Sequence, residues 1–74
     1  MKVHVKLFAT LRDGRFKEET VEIAENGLVL DVLKKCNIPP EEVSICIVNG
    51  QHTHQQQLLH YGDSISLFPP VGGG

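Results

Sequence analysis

The residues with the clearest chemical potential are LFPPVGGG, at positions 67–74. Glycine loses more conformational freedom on ordering than any other residue, so a run of glycines adds nothing to a core. What it offers is slimness. Lacking Cβ atoms, Gly72, Gly73 and Gly74 can thread a channel too narrow for side chains and carry the carboxylate of Gly74 into another protein. Pro69 and Pro70 donate no ladder hydrogen bonds and stiffen the base of such a tail. The stretch from Pro69 to Gly74 reaches up to ~20 Å when extended. A carboxylate is a poor electrophile. Conversion to an acyl-adenylate gives it a good leaving group, and sulfur can then displace AMP to leave a thiocarboxylate. The expected chemistry is therefore done to the carboxylate of Gly74, with Gly73 beside it.

The other reactive side chains carry less. Cys36 and Cys46 are the only cysteines, and neither lies in a CxxC motif. No signal peptide or long apolar run is evident, so reduced thiols in the cytoplasm are expected, with no membrane contact. Cys36 falls on an apolar helical stripe and reads as a small core residue. No His/Asn pairing can be placed for Cys46, which argues against a nucleophile. His52 and His54 alternate, with His60 nearby, but neither cysteine stands at ligand spacing to complete a zinc set. A solvated hairpin loop is the expectation, without a metal.

The elements that position the tail follow from periodicity. The chain has 74 residues, enough for one small domain, and its 41% hydrophobic content indicates a folded one. A net charge of −2 argues against a general nucleic-acid binder. Over 2–8, KVHVKLF sets Val3, Val5 and Leu7 on one face and Lys2, His4, Lys6 and Phe8 on the other, which predicts a strand. RDG at 12–14 is turn chemistry, and 17–23, with Val21 and Ile23, reads as the second strand of a hairpin. Over 26–37, Val29, Val32, Leu33 and Cys36 form one helical stripe. Asn26 is the candidate N-cap, Asp31 and Lys34–Lys35 suit the macrodipole, and Pro39–Pro40 end the helix. VSICIV at 43–48 reads as a buried strand, with Cys46 and Val48 toward the face away from the helix. Asn49-Gly50 signals a hairpin into a short polar strand at 51–54. Leu58 and Leu59 add to the core. After a turn at Tyr61-Gly62-Asp63, the last strand, 64–68, places Ile65 and Leu67 inward and Ser64, Ser66 and Phe68 outward.

This β-β-α-β-β-β order resembles the α+β β-grasp, or ubiquitin-like, fold: a mixed sheet of four to five strands with one covering helix. The expected division is a β-grasp domain over 1–68 and a flexible tail over 69–74. The resemblance implies that the first and last strands are parallel neighbours in mid-sheet. Phe8 and Phe68 would then emerge together on the open face, continuous with Pro69, Pro70 and Val71, and a contiguous apolar patch marks an interaction surface. The alternative is that loop 9–17 folds over and buries Phe8, together with Phe16.

Three segments, VNG at 48–50, YGDSI at 61–65 and LFPPVGGG at 67–74, with the first strand ending in LFATLRD, resemble the small sulfur-carrier subunit of molybdopterin synthase. In that family the tail reads FFPPV, a small residue, then Gly-Gly, so Gly72 matches the variable position and Gly73-Gly74 the terminal pair. The resemblance implies an E1-like adenylating enzyme that activates Gly74 with ATP, a sulfur donor protein that converts it to the thiocarboxylate, and docking on the large synthase subunit. Sulfur would pass there to a pterin precursor in molybdenum-cofactor synthesis. The carrier would bind no cofactor itself. Phe8, Phe68, Pro69, Pro70, Val71 and Gly72 would form the partner-binding surface. QHTHQQQLLH at 51–60 departs from the acidic and apolar segment usual in the family, and Ser64 and Ser66 replace charged or larger residues. Carriers for tungsten cofactor, thiamine, amino-acid or tRNA thiolation share this chemistry. So does a ubiquitin-like modifier amide-linked to lysines. A plain interaction module with an inert tail is the remaining alternative.

Overall fold

A computed structural model describes residues 1–71; the expectations placed on Gly72, Gly73 and Gly74 lie outside the described residues. The strands are β1 (Lys2–Leu7), β2 (Glu18–Glu22), β3 (Ile45–Val48), β4 (Gln51–Thr53) and β5 (Ser64–Phe68), with one α-helix, α1 (Val29–Lys35). They form a five-stranded mixed sheet in the order β2-β1-β5-β3-β4. β1 and β5 are parallel in the centre, and the other neighbours are antiparallel. This is the β-grasp arrangement, with the central parallel pair that the fold resemblance implied.

Strict alternation explains the centre of the sheet. Val3, Val5, Leu7, Ile65 and Leu67 are all within 1% of complete burial and meet Val29, Val32 and Leu33 of α1. A helix of seven residues is too short to stand on its own propensity, so this packing holds it. Among the described residues, no helix is long and apolar enough to cross a membrane.

The helix starts later than its periodicity suggests. Asn26 is not the N-cap; its φ is +64°, inside a turn closed by the Gly27 amide donating to the Ala24 carbonyl at 3.1 Å. Glycine suits position 27 because a Cβ would stand 2.9 Å from the Ala24 carbonyl oxygen, a backbone atom, and 2.8 Å from Ile23 Cδ1. Leu28 takes the cap position, and its amide donates to the Asp31 carboxylate at 2.7 Å. The next two donors, Val29 and Leu30 N–H, reach the carbonyls of Gln57 and Gln55 at 3.0 and 2.8 Å. The polar segment after β4 thus satisfies the helix N-terminus with its backbone, while its side chains bond elsewhere: Gln55 Nε2 donates to the Pro40 carbonyl at 2.9 Å and Gln57 Oε1 accepts from the Thr53 hydroxyl at 2.8 Å.

One face assignment is corrected. Cys46 lies opposite Leu67 and Val48 opposite Ile65, so both point under the helix, and Cys46 is 4% exposed. The open face of β3 carries Ile45, opposite Phe68, and Ile47, opposite Ser66. Alternation carried back to Val43, the first residue of VSICIV, would put Cys46 and Val48 on the open face. Val43 precedes the strand, in the exit from a 3-10 turn at Pro40–Glu42, and its burial does not continue the β3 alternation.

Candidate functional site

The open face of the sheet builds the site. The β1–β5 register ends at Leu7 opposite Leu67, so the next residue of each strand is a phenylalanine on the side away from α1. Phe8 and Phe68 meet there as a stacked pair, with centroids 4.3 Å apart and planes 11° from parallel. Such a pair contributes about 0.5–1.5 kcal/mol beyond its buried area. Backbone bonds fix both ends: Phe8 N–H donates to the Leu67 carbonyl at 3.2 Å, and the Phe68 carbonyl accepts from Ser44 N–H at 2.9 Å. Pro69 has no N–H to continue the ladder, and the chain leaves the sheet at this point. Pro69 is half-buried, Pro70 exposed, and Val71 90% exposed.

Three residues outside the expected set complete the patch. Ile45 and Ile47 extend it across β3, both half-buried. Correct β3 parity would have found them. Arg12 borders it from a 3-10 turn (Ala9–Arg12), with its guanidinium carbon 5.3 Å from the Phe8 centroid. Periodicity holds no signal for that contact. Loop 9–17 therefore flanks Phe8 without burying it. Phe16 packs against the core beside Val21 and Cys36, apart from the stack.

The remaining candidates stay apart from this surface. Cys36 is half-buried at the end of α1, and burial, then Glu19, push its thiol up. Burial pushes the Cys46 thiol up as well. Both cysteines are free, and neither environment favours a thiolate nucleophile. His52, His54 and His60 are exposed; His52 lies on the open face opposite Ile47, whereas His54 is past the end of β4. Among the described residues, no three His, Cys, Asp or Glu side chains gather in a metal-holding group. The geometry thus offers an apolar platform at the root of a narrow tail.

Comparison with known proteins gives this platform a family. The sequence profile of the ThiS family matches residues 5–74. The chain belongs to the ThiS family. Its fold is similar to a putative molybdopterin converting factor subunit 1 from Pyrococcus furiosus, with 30% identity over 96% of this chain and 99% of that one and a TM-score of 0.71. Small archaeal modifier protein 1 from Methanosarcina acetivorans is also similar, at 27% identity over 99% of this chain and 96% of that one, with a TM-score of 0.71. A complex of subunits 1 and 2 of the molybdopterin-converting factor from Helicobacter pylori contains a chain of the same fold, at 24% identity, full coverage of both chains and a TM-score of 0.57. Among curated proteins, none matches the sequence. As a ThiS-family member the chain is a small ubiquitin-like sulfur carrier or modifier, and a carrier is not itself an enzyme.

Proposed function

We propose that this ThiS-family chain carries sulfur for molybdopterin synthesis as a thiocarboxylate on Gly74. The observation that supports this most is the Phe8–Phe68 stack at the point where PPVGGG leaves the sheet. A partner that grips the stack holds the root of the tail at a fixed place. The glycines then span a narrow channel, and the reacting carboxylate arrives in a site built by the partner. In this reading an E1-like enzyme adenylates Gly74 with ATP, and a sulfur donor displaces AMP. The large synthase subunit then binds Phe8, Phe68, Pro69, Pro70, Val71 and Gly72. The thiocarboxylate sulfur attacks an oxygen-bearing carbon of the pterin precursor and displaces that oxygen. Water then cleaves the acyl–sulfur bond, leaving the sulfur on the precursor and the glycine carboxylate on the chain. The 30% identity to the Pyrococcus furiosus protein supports the molybdopterin assignment, and the complex of two subunits from Helicobacter pylori supports a large-subunit partner.

A second reading, a protein modifier joined through Gly74 to lysines, draws on the 27% identity to the Methanosarcina acetivorans modifier. Both readings share activation and differ in the acceptor. Intact-protein mass spectrometry after incubation with the host's activating enzyme, ATP and a sulfur source tests the first. The expected product is heavier by the difference between sulfur and oxygen, localised to Gly74. An unchanged mass beside AMP release and lysine adducts would transfer the assignment to the modifier.

A further inference from the structure

Arg12 and Arg15 share the loop between β1 and β2 but use their guanidinium groups differently. Arg15 is consumed inside the molecule: Nη1 donates to the Leu11 carbonyl at 3.1 Å and Nη2 to the Asn37 carbonyl at 3.0 Å, stitching the loop to the chain after α1. Arg12 donates Nε–H to the Leu7 carbonyl at 2.6 Å. Among the described residues, its Nη groups have no hydrogen-bond acceptor and no carboxylate at ion-pair distance. Phe8 takes part in both contacts: Phe68 stacks on its ring, and the Arg12 guanidinium carbon lies over the same ring, 5.3 Å from its centroid. Arg12 is thus pinned at the edge of the apolar patch with the outer part of its fork unused.

That arrangement specifies what must cover it. A guanidinium fixed by a carbonyl and a ring has lost much of its side-chain freedom before binding, and its planar fork matches a carboxylate. A partner that buries the stack also takes the Nη groups out of water. A desolvated cation without an acceptor is strongly unfavourable. Nearby charge points the same way. Lys6 shares the open face with Phe8, while Glu18, opposite Lys6, is bound to His4 Nε2 at 2.6 Å. We propose that the large synthase subunit presents an aspartate or glutamate to the Nη edge of Arg12, and that this charge-assisted pair helps select the partner. The inference rests on the docking reading above.

The test is the affinity of the full chain for the large synthase subunit of its own host, with nitrogen NMR of the Arg12 side chain. Arg12→Gln keeps a donor for the Leu7 carbonyl and removes the charge; binding should weaken about tenfold or more. Arg12→Lys, with charge but no fork, should recover part of the loss. The Arg12 Nη signals, averaged by rotation in the free chain, should resolve and move downfield in the complex. This NMR readout needs no variant, so it stands even if Arg12→Gln folds poorly. Wild-type binding with unchanged Nη signals, or with full affinity in Arg12→Gln, overturns the inference and leaves the docking reading intact. Nη signals already resolved in the free chain, and averaged again on removal of Gly74, assign the fork to the chain's own carboxylate and overturn it too. No binding of wild type to the large subunit removes the docking reading, and the inference falls with it.

Discussion

Leu67 and Phe68 are adjacent in sequence and belong to opposite faces of one sheet. Leu67 is fully buried beneath α1 with Leu7, Val5 and Ile65. Phe68 is half-buried on the face without a helix, stacked on Phe8 and opposite Ile45, with Ile47 farther along the same face of β3. The covered face is aliphatic, interdigitated and closed, and its apolar residues stabilise the fold. The open face holds flat rings and half-exposed isoleucines, an arrangement that leaves apolar surface for a partner. A strand with period two can serve both purposes at once, and the chain places stability and recognition one residue apart.

The comparison can be broken by mutation. The largest effect is expected from removing Gly74, which should abolish sulfur transfer and leave the melting temperature unchanged, because a glycine has no side chain to add to the core. A sharp fall in thermal stability would show that the tail belongs to the folded unit. Leu67→Ala should destabilise the chain by about 2–5 kcal/mol in chemical denaturation, with unaltered partner affinity for the molecules that remain folded. Phe68→Asp should do the reverse. Placing a charge in an apolar interface should weaken docking by about a hundredfold, while stability falls only by about the 1 kcal/mol of the stack. Equal losses of stability from these two substitutions would erase the distinction between the faces.

The smallest effect concerns the polar margin of the open face. The hydrogen bond from His4 holds the Glu18 carboxyl below its ordinary range, opposed by desolvation and helped by the charges of His4, Lys6 and Lys17. A carboxyl depressed in the folded state adds stability above its unfolded pKa and loses it as pH falls through the folded value. Glu18→Gln should therefore flatten the acid side of the stability profile slightly, with no change near neutrality beyond a constant offset. Because Glu18 is exposed, a large acid-side change would be inconsistent with this account.

The central strands were legible in the sequence because alternation in KVHVKLF and SISLF is unbroken and both segments end in phenylalanine. The parallel pairing that joins them came from the fold resemblance, since spacing alone does not specify it. Elsewhere a local backbone feature overrode the pattern. The 3-10 turn at Pro40–Glu42 made Val43 a false reference for β3 and exchanged Cys46 and Val48 with Ile45 and Ile47. The positive φ of Asn26 and the tight approach at Gly27 delayed the helix, a conformation that an N-cap preference does not reveal. Arg12 was hidden for another reason. Its position over Phe8 depends on how the turn after β1 folds sideways, and no periodicity encodes that. The segment at 55–57 was opaque because it works through carbonyl oxygens, which every residue has.

The most direct measurement of the central claim is a single turnover with the Gly74 thiocarboxylate, the large synthase subunit and the pterin precursor, following the protein by intact mass and the precursor by its sulfur content. The account predicts that each sulfur lost from Gly74 appears in the precursor and that the chain returns to its carboxylate mass. A thiocarboxylate that persists with that pair while Gly74 becomes amide-linked to lysines in a lysate would contradict it.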